Sequence, residues 1–564
     1  MSVAGLWQEL RRRKVVRVVV AYGAVALVLI EAANNILPAL GVTDSVNRLV
    51  VLATLAGLPI AVLLAWKFDV VPDSGEPESN TSARVGELSA TGTRTPTSTT
   101  SEPLPHERVA VLPFKDMSEQ QTDEYFADGT TEDIIAQLAQ MPAFNVVSRT
   151  SVMAFRGTQL SIPSIGQQLG AGSIVEGSVR RSGDRVRVVA QLVDANSDAT
   201  VWAETYNRDL QDVLAVQSDI AASVAEGLHT SLGKEDVARL RAPRQADSAA
   251  HDLYLRARHL WNQRSVSGLT ESQALLERAI ARDPEFALAH AGLASTLATA
   301  GLYGLEQPDQ LMLPALRAAE RALEIEPDHV EALNARGLIE CVWSWEWAVG
   351  EATFKRAAEV SPSDVVARQW YALNCLAPQG RLEEAGEALA VARSLDPLSP
   401  VVRASDGFLR YLARDVDGAE ATLGPLVQEA DAPPVAHLFM GFVQQLAGRG
   451  EDANRHFQAA ESAGGRTEEA LAALATNRAL AGDIGRAESL LQDMVALSKT
   501  RFVSPGRLAQ VAAAVGDWPV AKGYWDESLR VRASDLIWLG VSPIYDFARG
   551  RAELEDVVRA VGAA

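Results

Sequence analysis

Gly380-Arg-Leu-Glu-Glu-Ala385-Gly-Glu-Ala-Leu389-Ala-Val-Ala392-Arg-Ser-Leu-Asp396-Pro397 decides the architecture, because its pieces recur along the carboxy-terminal half of the chain. Ala385 belongs to a series, Ala385, Ala419, Ala453, Ala487 and Ala521, whose step is constant. A second series of small residues runs Ala257, Gly292, Gly337, Ala372, Gly407, Gly441, Ala475 and Ala509, in steps of 35, 45, 35, 35, 34, 34 and 34. Each member of the first series follows its counterpart in the second at a nearly fixed distance, as Ala419 follows Gly407 and Ala453 follows Gly441. Pro284, Pro327, Pro362 and Pro397 mark turns between units. Two small residues at that separation suit an antiparallel helix pair, where close backbone approach excludes larger side chains.

The period, roughly 34 residues, resembles that of tetratricopeptide repeats, which stack helix pairs into a solenoid. The quoted stretch then resembles the second helix of the repeat, as does Ala453, Phe457 and Ala460. About eight repeats fit within 249–530, from Asp252 to Leu529, and capping helices over 531–564 are expected to cover the last apolar face. The unit with the longest step carries about ten extra residues, Gly301 to Met312, expected as a longer connection between its helices. Trp343, Trp345 and Trp347 alternate in the next turn, where packing between helices is favoured over a ligand cage. Cys341 and Cys375 are the only cysteines and stand one repeat length apart, so they read as equivalent small buried residues. Metal ligation would need more partners, and no disulfide framework is available.

Upstream, 107–232 alternates strand and helix signals. Arg108-Val-Ala-Val-Leu-Pro-Phe114 reads as a buried strand closed by proline. Asp128-Gly-Thr-Thr-Glu-Asp133 is expected to open a helix, with Thr130 as cap and Asp133 as reciprocal partner, ending at Met141-Pro142. Phe144 to Arg149 reads as a strand and Ser164 to Leu169 as a helix. A meander follows over Ile174–Arg181, Arg185–Asp194 and Thr200–Arg208, then an amphipathic helix from Leu210 to Leu232. The acidic cluster of Asp123, Glu124, Asp128, Glu132 and Asp133 reads as a loop and helix start rather than a metal site, since no histidine is near and no calcium-loop spacing fits. Arg180, Arg181, Arg185 and Arg187 read as a solvated hairpin tip.

Val109-Ala-Val-Leu-Pro-Phe114, Tyr125-Phe-Ala-Asp-Gly129 with Thr131-Glu-Asp-Ile134, Val175-Glu-Gly-Ser-Val-Arg180, Ala190-Gln-Leu-Val-Asp194 and Trp202-Ala-Glu-Thr-Tyr206-Asn-Arg-Asp209 together resemble the TolB amino-terminal-like (FlgO-like) domain. The resemblance spans nearly all of this small α/β segment. It implies a bacterial membrane protein in which the domain is a binding or assembly module without known chemistry. Such domains lie next to tetratricopeptide repeats, and sometimes next to a winged-helix or nucleotide-cyclase domain.

The N-terminus adds a membrane signal over 1–70. Spans are expected at about 15–37 and 49–66, the second from Leu49 to Trp66 without a charge, about 27 Å long as a helix. Two successive apolar runs without a small-residue cleavage site argue against a signal peptide. Arg11, Arg12, Arg13, Lys14 and Arg17 place the N-terminus in the cytoplasm, while the intervening loop holds only Arg48. A hairpin returns the chain to the cytoplasm at the bacterial inner membrane; a single span would put the remainder in the periplasm. Residues 71–106, rich in Ser, Thr, Pro, Glu and Gly, read as a disordered linker.

The expected fold is therefore multidomain: a transmembrane helical hairpin, a small α/β domain and an all-α tetratricopeptide solenoid. The net charge of −20 argues against general nucleic-acid binding, and only about 14 residues precede the first apolar run. There is no Walker loop, dinucleotide fingerprint, His-Glu-x-x-His helix or Gly-x-Ser-x-Gly elbow. The expectation is a membrane-anchored scaffold without catalytic, cofactor or metal site, binding the lipid bilayer through the hairpin and a protein or peptide through the solenoid groove. Groove positions counted from the small residue nominate Asn334, Gln369, Phe408, Tyr411, Phe442 and Gln445. The alternative is a signalling or transcription regulator of the winged-helix or cyclase-associated kind that lacks its output domain.

Overall fold

The computed structural model describes residues 103–118, 124–182, 185–209, 212–228, 247–429, 432–463 and 467–563. The expected membrane hairpin and nearly all of the expected linker lie outside the described residues. Among the described residues, no helix is long and apolar enough to cross a membrane.

The α/β part is built on β1 (Arg108–Val111), β2 (Lys115–Asp116), β3 (Asn145–Val146), β4 (Ser173–Ser182), β5 (Arg185–Asp194) and β6 (Ala199–Asp209). The sheet runs β3-β1-β4-β5-β6, with β2 also on β4. Neighbours are parallel as far as β4 and antiparallel from β4 to β6. Val109, Ala110 and Val111 are wholly buried, as a central parallel strand covered on both faces requires. Gly177 in β4 is demanded by packing: a Cβ there would lie 2.6 Å from the Phe114 ring and 2.3 Å from the Val189 carbonyl oxygen.

Helix α1 spans Glu124–Ala139, beginning well before the expected Thr130 cap. Thr130 and Thr131 sit inside it, their hydroxyls donating to the carbonyls of Phe126 and Ala127. The short α2 (Arg149–Met153) has no counterpart in the sequence reading, while α3 (Ile162–Leu169) and α4 (Val213–Gly227) do.

Among the described residues, eight antiparallel helix pairs follow: α5 (Ser248–Asn262) with α6 (Val266–Arg282), α7 (Ala287–Leu302) with α8 (Pro308–Ile325), α9 (Val330–Ile339) with α10 (Trp347–Val360), and α11 (Val365–Trp370) with α12 (Leu382–Leu395). The remainder are α13 (Pro400–Leu412) with α14 (Val416–Val427), α15 (Pro434–Leu446) with α16 (Gly450–Ala463), α17 (Thr467–Leu480) with α18 (Ile484–Leu497), and α19 (Pro505–Ala514) with α20 (Trp518–Val531). This is a mostly helical, tetratricopeptide-like solenoid beside a small α/β domain. The extra residues of the second pair lengthen its helices to 16 and 18 residues instead of making a long loop, which corrects the expectation for 301–312.

The small-residue series marks the contacts within pairs. A Cβ on Gly407 would stand 2.4 Å from Leu423, and one on Gly441 2.4 Å from Phe457. α9 and α11 run on into π-helical turns, Glu340–Ser344 and Tyr371–Leu376. These turns carry Cys341 and Cys375, both free and fully buried. A hydrogen bond to the Cys375 thiol, with burial, pushes the Cys341 thiol well above its ordinary pKa.

Every first helix ends on a left-handed residue: Arg264, Gly304, Trp345, Gly380, Arg414, Gly448, Gly482 and Gly516. From Gly380 onward these caps are equally spaced, Arg414 included, and Gly550 continues the same step. The C-terminal segment is therefore a ninth, degenerate unit. Its second helix, α21 (Ala552–Val561), packs on α20. Its first helix is replaced by two 3-10 turns, Ser534–Trp538 and Pro543–Ala548. Pro543 stands one step after Ala509, where the small residue should recur, and a proline there removes a helical hydrogen bond.

Candidate binding face and its occupant

First helices of successive pairs pack closely on one another, whereas second helices do so far less, so the stack curves toward its first-helix side. On this inner face four rings form a ladder. Phe408 stacks on Phe439 at 4.3 Å between centroids and on Tyr411 at 5.8 Å, and Tyr411 stacks on Phe442 at 5.6 Å. The i and i+3 spacing of Phe408 with Tyr411, and of Phe439 with Phe442, aims each pair along one helix face.

The ninth unit lies against this ladder. The Tyr411 hydroxyl accepts the Ile544 backbone N–H at 2.9 Å and lies 3.3 Å from the Ser542 hydroxyl. Burial pushes its phenol above the ordinary pKa, so it stays neutral. Trp538 meets Phe408 edge-on at 5.2 Å. The Arg414 guanidinium grips Asp546 through two hydrogen bonds, 2.6 and 2.7 Å. Deeper in, Tyr545 donates to Gln510 at 2.9 Å, and Asp535 receives the Ser504 hydroxyl at 2.9 Å beside Arg507 at 3.5 Å.

The tryptophan turn meets the same segment. Arg532, itself left-handed, lies over Trp343 and Trp345, 5.4 and 5.5 Å from their centroids. The Trp347 indole N–H donates to the Val561 carbonyl at 3.0 Å. These residues hold the last unit as well as packing between helices, a role that pairwise spacing did not reveal.

Of the six nominated positions, Phe408 and Tyr411 touch the ninth unit, and Phe442 supports them from below while meeting Phe457 edge-on. Asn334 and Gln369 instead link successive units, donating to Asp364 at 3.0 Å and Ser405 at 2.8 Å. Gln445 keeps both amide atoms buried with no hydrogen-bond partner among the described residues. Arg414, Gln510 and Arg532 were missed, and the tryptophans were read as packing between helices only. The signal available for Arg414 was an arginine at a cap position where the following three units carry glycine.

The solenoid is also fused to the α/β domain. Arg258 on α5 reaches Glu132 on α1 and Glu331 on α9, and Arg149 meets Glu132 at 3.2 Å. Burial alone would raise the Glu132 carboxyl, but Arg258 and Arg149 outweigh it and hold the pKa below the ordinary value. Arg156 pairs with Glu124 and Asp128, so most of the acidic cluster is consumed by arginines. Ser151 on α2 donates to Asp396 at 2.6 Å, and Ser363 bridges the Val146 N–H and the Phe144 carbonyl, tying two inter-repeat turns to the α/β domain. Among the described residues, no three His, Cys, Asp or Glu side chains gather as metal ligands.

The pattern described as "HilA/YgeH-like transcriptional regulator, second domain" matches residues 106–223, the α/β part. A putative adenylate cyclase 3 of Rhizobium meliloti is 35% identical over 204 residues, covering 36% of this chain and 35% of that protein. The transcriptional regulator HilA of Salmonella typhimurium is 28% identical over 167 residues, 30% of each chain. The chain thus spans about a third of the length of these curated relatives. Among solved structures, a tetratricopeptide repeat protein of Parabacteroides merdae is 20% identical, with a TM-score of 0.27, over 40% of this chain and 98% of that one.

Proposed function

We propose that this chain is a non-catalytic scaffold at the bacterial inner membrane, anchored by its N-terminal hairpin and exposing its folded part to the cytoplasm, where the inner face of the solenoid binds a polypeptide partner. The observation carrying this reading is the engagement of a polypeptide segment by that face, with aromatic anchors, a bidentate arginine and a hydrogen bond to main chain. Those are the elements by which helical-repeat surfaces take peptides. The α/β domain, in which the TolB-like motifs and the HilA-type match coincide, supplies a second surface held rigidly against the repeats.

The test is affinity capture with the full chain beside a Tyr411→Ala, Phe442→Ala form, run in parallel with nucleotide-turnover and DNA-shift assays. A partner retained by the native chain and lost by the variant is expected. Turnover or DNA binding without such a partner would displace the scaffold. Reporter fusions after residue 75 test the side of the membrane; periplasmic activity would overturn the hairpin.

A second reading is favoured by the relatives. Proteins named as a transcriptional regulator and a putative cyclase share about a third of their length with this chain. The shared part would then be a regulatory module acting on an output domain in another protein. It differs from the scaffold in requiring that the captured partner change its own activity on binding.

A further inference from the structure

This inference rests on the inner face being the binding surface, and concerns what it binds and how access is controlled. The ninth unit fills the face with a recognisable succession: a proline-led turn, then an aliphatic residue, an aromatic residue and an acid, Ser542-Pro-Ile-Tyr-Asp-Phe547. The face answers each element. Tyr411 takes the Ile544 N–H, Gln510 takes the Tyr545 hydroxyl, and Arg414 takes Asp546. Arg414 is the telling residue. It occupies a left-handed position where the next three units have glycine, a conformation that L side chains resist, and it directs its guanidinium to Asp546.

We propose that the inner face takes, from another protein, a segment of this same chemistry, and that the chain's own ninth unit occupies the place until that segment displaces it. Displacement of like by like loses no buried contact. What the incoming segment must overcome is the tether, whose effective concentration is on the order of millimolar for a short connection. The ion pair at Arg414 and Asp546 lies at the exposed rim, 53% and 38% exposed, where exchange can begin. Gln445, three residues beyond Phe442 on the same helix face, has no hydrogen-bond partner among the described residues.

The experiment keeps the full chain and weakens only the occupant. Asp546→Ala, and separately Tyr545→Ala, loosen the ninth unit and leave the face intact. A fluorescent peptide of native sequence 534–550 is titrated by anisotropy into each. Binding at least about tenfold tighter than to the native chain is expected, the equivalent of about 1.4 kcal/mol. Adding Arg414→Ala to Asp546→Ala should erase that gain. Asp546 is exposed enough for its variant to fold even where Tyr545→Ala does not, so the comparison does not depend on the harsher change. Variants that keep the native Tm yet bind the peptide no better than the native chain would overturn the proposal. So would their assembly into dimers that exclude the peptide, since a second copy would then be the occupant. If the peptide fails while the native chain still captures a partner, the scaffold survives at another surface, and the displacement falls together with the inner face as its site.

Discussion

At the scale of single residues, two histidines make a contact with a measurable consequence. His437 Nδ1 and His456 Nδ1 lie 3.1 Å apart across a helix pair, with ring centroids 5.4 Å apart, so the rings meet nearly head-on and one nitrogen must donate to the other. Burial lowers both pKa values, and for His456 the neighbouring His437 and Arg455 lower it further, against a smaller opposing pull from Asp452. The folded state therefore binds fewer protons than the unfolded chain just below the ordinary histidine value of about 6.5. Stability from the pair is present above that value and is lost as pH falls toward the depressed folded values. The Tm should drop between about pH 7 and pH 5, and a His437→Gln, His456→Gln form should show a shallower drop over that interval. Equal slopes by circular dichroism would sink the assignment. A glycine gives the matching packing test. Gly441→Val drives new methyls into Phe457, which is fully buried, and should cost about 1–3 kcal/mol by urea denaturation. That glycine was legible because a small residue returns at the same place in every repeat, as at Gly407 and Ala475 on either side. The histidine contact was not, because it joins two helices of one pair with no counterpart in other units.

Elements were legible where one local rule decided them. β5 was read to the residue because alternation over Arg185–Asp194 left a single register with one buried face. α1 was misjudged because Gly129 and the adjacent threonines look like a helix start. In the structure Gly129 is interior, and a Cβ there would lie 2.5 Å from Leu255 on α5, so its smallness serves the approach of the solenoid. No local pattern encodes a demand that comes from another domain. The ninth unit was read as capping helices and not as a further repeat for a related reason: Pro543 breaks the helix while Gly550 keeps the period, and only the caps reveal the continuity. Those caps can be tested alone. Gly482, at φ +87°, has open space around an added Cβ, so Gly482→Ala isolates the backbone term. It should lower stability by about 1–2 kcal/mol, seen as an earlier urea midpoint with unchanged slope. A neutral result would mean that the turn relaxes out of the left-handed region.

For the molecule as a whole, the decisive question is whether the α/β domain and the repeats unfold together. One apolar core runs from the sheet into the first repeats, taking in Val109, Ile134, Leu255, Leu276 and Phe286. Arg258 stands within the seam, its side chain 16% exposed, between Glu132 and Glu331. Removing it leaves Glu132 with Arg149 alone and takes the Arg258 partner from Glu331, a loss of about 3–5 kcal/mol for a broken buried pair. Arg258→Met preserves much of the side-chain volume, so the loss reports charge rather than a cavity. The cost should depend on pH in a stated direction. Glu132 has a lowered pKa because Arg258 and Arg149 outweigh burial, so its contribution is full above the ordinary carboxylate value and fades as pH falls through the lowered one. Native and variant chains should therefore differ most near neutrality and converge in acid. Hydrogen exchange should show α1 and α5 losing protection together in Arg258→Met, while α15 to α20, remote from the seam, stay protected as in the native chain. If α1 keeps its native protection, the two parts are merely adjacent, and the α/β domain is not the rigid extension of the solenoid that its buried ion pairs describe.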